Sequence, residues 1–272
     1  MAARPARRIT MIFPIASLGA LFALGLVQSA RGKIATRAVV YMDGDTALEG
    51  FLAHDEALQS PLPAVLIVHK WNGLEDYIRR RTVEVAKLGY AAFALDIYGR
   101  GVRPKTREES ARESAVFTGN RPLMRRRALA GLTQVRSFPF VDPRRVAAMG
   151  YCFGGGVVLE MARAGADLLG VVSFHGTLDT PRPEATPSMI PKILVLHGAD
   201  DPFTSQAQLA TFESEMRRAK ADWEVNIYGN AVHGFTDPAS GSNPSLGVAY
   251  SQEADQRSWR AMKDFFAEIF RR

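Results

Sequence analysis

Three short stretches carry side chains able to do covalent chemistry. The first is Gly150-Tyr151-Cys152-Phe153-Gly154-Gly155-Gly156, which holds the chain's one cysteine. An apolar run over 145–149 leads in, and Val157 to Ala162 reads as helix on the way out. Strand, glycine-bounded turn and helix, with Cys152 at the apex, is the layout of the nucleophile elbow G-x-S-x-G with sulfur in place of the hydroxyl. Small residues at 150 and 154 let strand and helix close up around a strained turn. A helix N-terminus at Cys152 favours the thiolate. On this heptad alone, a buried cysteine acting as a small hydrophobe fits equally well.

The second stretch is His197-Gly198-Ala199-Asp200-Asp201-Pro202, with two carboxylates just after an apolar run. The third is Val232-His233-Gly234-Phe235, in a glycine-flanked loop. A thiol needs a base or a cationic neighbour to become a nucleophile, and His233 can take its proton and later activate water. A carboxylate then fixes the imidazole tautomer and stabilises its charged form. Asp201, just before Pro202, is assigned that role; Asp200 is left to cap the turn or face solvent. The chain order is nucleophile, acid, histidine, which is the α/β-hydrolase order. An oxyanion in such a site takes one donor from the amide after the nucleophile, here Phe153. The other comes from the loop opened by His69, where the Trp71 amide is the candidate.

The remaining histidines are given structural places. His54 is expected at the surface near a turn, and His175 and His197 as hydrogen-bonded residues ending buried strands. No H-x-H, H-E-x-x-H or C-x-x-C spacing calls for a metal.

Positioning these groups requires a sheet. After paired strands at 37–41 and 48–53, apolar runs at 64–69, 90–96, 145–149, 170–174, 193–197 and 223–228 read as strands. Helices are expected at 76–87, 107–116, 121–137, 205–219 and 255–270. Continuous apolar runs suit strands buried on both faces. Their alternation with helices implies a mostly parallel sheet covered on both sides, an α/β fold with its chemistry at the strand carboxyl ends. A polar, arginine-rich excursion from 98 to 121 interrupts the pattern. Its Arg100, Arg103 and Arg107 could hold a substrate carboxylate or form a solvated face.

The chain has 272 residues, 47% of them hydrophobic, and a net charge of +6. The arginine clusters at 79–81 and 125–127 lack interleaved aromatics and any nucleic-acid motif, so they are read as solvated helix faces. At the N-terminus, Arg4, Arg7 and Arg8 precede an apolar run from Met11 to Val27, then Ser29-Ala30. This is the layout of a secretory signal, with export to the periplasm expected and an uncleaved anchor as the alternative. Residues 31–272 then form one domain. In an oxidising compartment structural cysteines come in pairs, so retention of one unpaired cysteine points to a reactive role.

With these residues in view, the sequence resembles the dienelactone hydrolase family. The resemblance rests on Gly-Tyr-Cys-Phe-Gly-Gly at 150–155, His-Gly-Ala-Asp-Asp-Pro-Phe at 197–203 and His-Gly-Phe at 233–235. Further matches are His-Lys-Trp-Asn-Gly-Leu at 69–74, Leu-Gly-Tyr at 88–90, Asp-Ile-Tyr-Gly at 96–99 and Ser-Phe-His-Gly at 173–176. It implies an α/β-hydrolase fold and a Cys–His–Asp triad on Cys152, His233 and Asp201. It also implies hydrolysis of small esters or lactones, with no cofactor. One departure stands out: many relatives carry glutamate where this chain has Lys70. Lys70 either points at the sulfur and favours a standing thiolate by charge, or turns to solvent. Readings from other classes are an idle binding protein on the same fold and a redox-sensing thiol.

Overall fold

The computed structural model describes residues 1–2 and 32–271; the expected leader therefore lies almost wholly outside the described residues. The chain runs β1 (Ile34–Asp43), β2 (Thr46–Asp55), β3 (Leu62–Val68), α1 (Asp76–Ala86), β4 (Ala91–Leu95), α2 (Arg107–Thr118) and α3 (Arg121–Arg136). It continues through β5 (Val141–Tyr151), α4 (Phe153–Arg163), β6 (Gly170–Phe174), β7 (Lys192–Gly198), α5 (Gln206–Arg218), β8 (Trp223–Tyr228) and α6 (Gln252–Ile269). The eight strands form one sheet in the order β1-β2-β4-β3-β5-β6-β7-β8. β1 and β2 are antiparallel to their neighbours, and every pair from β4 to β8 is parallel. This is the mostly parallel α/β architecture expected.

Why the central strands lack alternation is plain from β3. Ala64, Leu66 and Val68 face one layer of core, while Val65 and Ile67 face the other. On the first face lie α3, α4 and α5, through residues such as Leu132, Val157 and Phe212. On the second lie α1 and α6, through Ile78, Val85, Met262 and Phe266. Both faces are covered, so every position along the strand is apolar.

The helix starts are set by polar caps. The Thr106, Asn120 and Ser251 side chains each accept from an amide in the following first turn, and Ser205 forms a reciprocal capping box with Gln208. α4 has no such cap and starts at Phe153, four residues before the expected helix at Val157. Its opening glycines are poor helix formers, but close packing demands them. A Cβ on Gly150 would collide with the Gly154 carbonyl, and one on Gly154 with the carbonyls of Val68 and His69.

The two arginine clusters are only partly solvated faces: Arg80 and Arg126 are exposed, and the others pack inward. Arg81 is mostly buried and bonds to Asp255, the Thr236 carbonyl and the Tyr77 hydroxyl. Arg127 is buried against Asp43 at 2.8 Å, and Arg125 meets the fully buried Glu160 at 2.7 Å. Arginine suits such places because its planar, weakly hydrated fork pairs with carboxylates through several donors. His54 sits part-exposed at the end of β2, next to a turn as expected, and stacks on Phe140 with ring centroids 4.3 Å apart.

Candidate active site

β5 ends at Tyr151 and α4 begins at Phe153, which leaves Cys152 alone at the turn with φ 54° and ψ −119°. This is a strained backbone for a residue with a Cβ. It is held by the Cys152 amide donating to the Phe174 carbonyl at 3.0 Å and by the Cys152 carbonyl accepting from Gly155 at 2.9 Å. The turn presents Cys152, a partly buried residue, at the carboxyl edge of the sheet.

His233 and Asp201 converge on it. The His233 Nε2 lies 3.0 Å from Cys152 Sγ, and its Nδ1 lies 2.8 Å from Asp201 Oδ2. The Asp201 side chain is fully buried, and its other oxygen accepts from the Phe203 amide at 2.9 Å. Asp200 is exposed, and Asp201 is the one of the two carboxylates that reaches His233. The Phe203 ring stands edge-on to His233 at 5.0 Å and is half exposed, forming an apolar wall beside the imidazole.

Burial opposes charge on this sulfur, but the His233 imidazolium, its hydrogen bond, the Phe153 amide and the Lys70 charge together outweigh it. The Cys152 thiol therefore titrates below its ordinary value. Burial likewise works against a charged His233, yet the facing sulfur and Asp201 raise it to about 10. The pair favours thiolate and imidazolium over thiol and imidazole.

Of the two expected oxyanion donors, the Phe153 amide directly follows Cys152 at the start of α4. Trp71 is fixed through its carbonyl, which accepts from the Tyr98 hydroxyl at 2.7 Å, while its amide has no acceptor among the described residues. Tyr98, Phe117 and Phe153 form an aromatic cluster behind it.

Lys70 does not turn to solvent: its charge helps to lower the Cys152 pKa, but its ammonium is committed to two carboxylates rather than to the sulfur. Its ammonium is held by Glu75 at 2.9 Å and by Asp237, above the Tyr77 ring. Burial works against its charge, but the two carboxylates outweigh burial and raise its pKa. Glu75 precedes α1, and Asp237 belongs to the loop that carries His233. The sequence reading missed both, since neither sits in a motif with the sulfur. Of the three excursion arginines, Arg100 and Arg103 reach Glu49 at 3.4 and 3.7 Å, and exposed Arg107 lies over Trp71.

The other histidines are buried supports. His175 Nε2 meets the Thr236 hydroxyl at 2.8 Å, and burial holds this ring well below the usual histidine pKa. His69 Nδ1 donates to the Lys70 carbonyl at 2.6 Å and its Nε2 accepts from Ile97. His197 is buried as expected, but its Nδ1 finds no hydrogen-bond partner among the described residues.

The sheet order, the strained turn after β5 and the site at the strand ends define an α/β-hydrolase. The family model for the dienelactone hydrolase family matches residues 48–270, and the chain belongs to that family. It stands among the carboxylic ester hydrolases. A metagenomic protein described as dienelactone hydrolase-like promiscuous phosphotriesterase P91 is 38% identical. Its structure superposes with a TM-score of 0.82, covering 88% of this chain and 99% of that one. Uncharacterized protein K02A2.1 of Caenorhabditis elegans is 38% identical over 52% of this chain and 90% of its own length. A Saccharolobus solfataricus protein named "Putative carboxymethylenebutenolidase" is 25% identical over 85% of this chain and 98% of its own.

Proposed function

We propose that the protein hydrolyses small esters or lactones through an acyl-thioester on Cys152. The observation that carries this reading is the unbroken line from Cys152 Sγ through His233 to the buried Asp201 carboxylate, at 3.0 and 2.8 Å. The thiolate attacks the substrate carbonyl, and the carbonyl electrons move to oxygen, which the Phe153 and Trp71 amides receive. Collapse of this intermediate expels the alcohol or enol oxygen, which takes the proton from the His233 imidazolium. The neutral His233 then removes a proton from water as that water attacks the thioester. Cys152 leaves as thiolate, the acid departs, and the imidazolium–thiolate pair is restored. Asp201 keeps the proton on Nδ1 and stabilises the charged ring throughout.

Thiolate is also a good leaving group, so the scheme suits acyl groups with an activated leaving oxygen, such as enol lactones. Lys70 enters as a positioning residue: through Glu75 and Asp237 it ties the turn bearing Trp71 to the loop bearing His233. The test is turnover of a panel of short esters and lactones by wild type, Cys152→Ala and Cys152→Ser. A phosphotriester joins the panel because P91 is described as a phosphotriesterase. Loss of all turnover in Cys152→Ala supports the reading; full turnover in that variant overturns it. We propose in addition that the N-terminal segment directs export, which N-terminal sequencing of periplasmic protein checks.

A further inference from the structure

A second polar site lies outside the Cys152 constellation. A cleft of about 320 Å³ opens between the first turn of α3, the end of α4 and the loop that includes residues 180–187. Four arginines line it: Arg121, Arg125, Arg163 and Arg182. Three carboxylates answer them. Asp179 meets Arg121 at 3.0 Å, Glu160 meets both Arg125 and Arg163, and Glu215 meets Arg163 at 2.8 Å. The four lining arginines outnumber these three carboxylates, and Glu184 of the same loop lines the neighbouring groove instead.

The arginines differ in what they have left to give. Arg163 spends its donors on Glu160, Glu215 and the carbonyls of Leu178 and Asp179, so it is structural. Arg125 places its Nε and one terminal nitrogen on a single Glu160 oxygen and keeps the other terminal nitrogen. Arg121 is nine-tenths buried, with one terminal nitrogen on Asp179 and the other on the Met124 sulfur at 3.8 Å, so it contributes a fixed positive charge to the cleft wall. Arg182 is exposed and makes no ion pair among the described residues. The sixteen-residue helix α3 opens at the same place, adding the positive end of its dipole. Pro181, Pro183 and Pro187 stiffen the loop that carries Arg182, which lowers the ordering cost of gripping a ligand.

We propose that this cleft binds a small oxyanion, a phosphate monoester or a short carboxylate, through Arg121, Arg125 and Arg182. The planar guanidinium fork is the donor best matched to either group. A lining that holds more arginines than carboxylates, beside a helix start, favours one or two negative charges over cations. The site is independent of how Cys152 is used, so its test does not depend on ester turnover.

Isothermal titration with inorganic phosphate, with succinate and with chloride is run on wild type, Arg182→Gln and protein alkylated at Cys152. Phosphate and succinate separate the two sources of oxyanion, and chloride controls for ionic strength. The proposal expects saturable binding of phosphate or succinate, weakened about tenfold or more in Arg182→Gln and unchanged by alkylation. Arg182 is exposed and unpaired, so its replacement leaves the fold intact, which circular dichroism verifies. Three results would overturn the proposal: no saturable heat at millimolar oxyanion, chloride binding equally well, or binding lost on alkylation but retained in Arg182→Gln.

Discussion

Replacing Lys70 by methionine separates its two assignments, strut and bystander, because the stem stays and only the ammonium goes. That ammonium faces two carboxylates, Glu75 at 2.9 Å and Asp237, whose side chain is 3% exposed. Glu75 is one-third exposed, so solvent screens its loss, and most of the penalty falls on Asp237. Stranding one buried carboxylate sets the loss of stability at about 3 kcal/mol. The same change takes a positive charge from the neighbourhood of Cys152 and leaves two negative ones. Lys70 lowers the Cys152 pKa in the native protein, so its loss raises that pKa. The acid limb of Cys152 alkylation moves to higher pH, and alkylation at pH 7 slows several-fold. Lys70→Arg, which keeps the charge, restores most of both effects. Urea unfolding and iodoacetamide kinetics from pH 4 to 9 measure the two quantities on the same samples. A Lys70→Met protein with native stability and a native alkylation profile would refute the strut.

Other changes test the rest of the site. His233→Gln removes the charge that holds the thiolate while burial remains, so alkylation at pH 7 should slow at least about tenfold. Asp201→Asn keeps the shape but favours the wrong imidazole tautomer; kcat should drop about a thousandfold or more with little change in KM. Gly154→Ala drives a methyl into the Val68 and His69 carbonyls, and chemical denaturation should show a loss of about 3 kcal/mol or no folded protein. Arg81→Met strands Asp255 and the Thr236 carbonyl, and should cost about 3 kcal/mol in the same assay.

Much of this architecture is written locally. The apolar runs at β3, β4, β6 and β7 announce two-sided burial, and the glycines at 150 and 154 announce a tight strand-to-helix turn. Cys152, Asp201 and His233 are legible because each follows a strand, and the strand ends of a parallel sheet share one edge. What was not legible depends on partners far apart in the chain. Arg81 and Asp255 are separated by 174 residues, and Lys70 and Asp237 by 167. A run of three arginines looks like a solvated face until the fold brings carboxylates to it. The start of α4 was hidden for a different reason: its glycines argue against helix by propensity, and only the carbonyls pressed against them explain their presence.

The central claim is that Cys152 carries the acyl group and His233 removes it. Intact-mass spectrometry after mixing with an activated short-chain ester tests this directly, on wild type, Cys152→Ala and His233→Ala. A transient acyl adduct is expected on wild type, a persistent one on His233→Ala and none on Cys152→Ala. An adduct of equal yield on Cys152→Ala, or ester turnover by that variant at the wild-type rate, would contradict it.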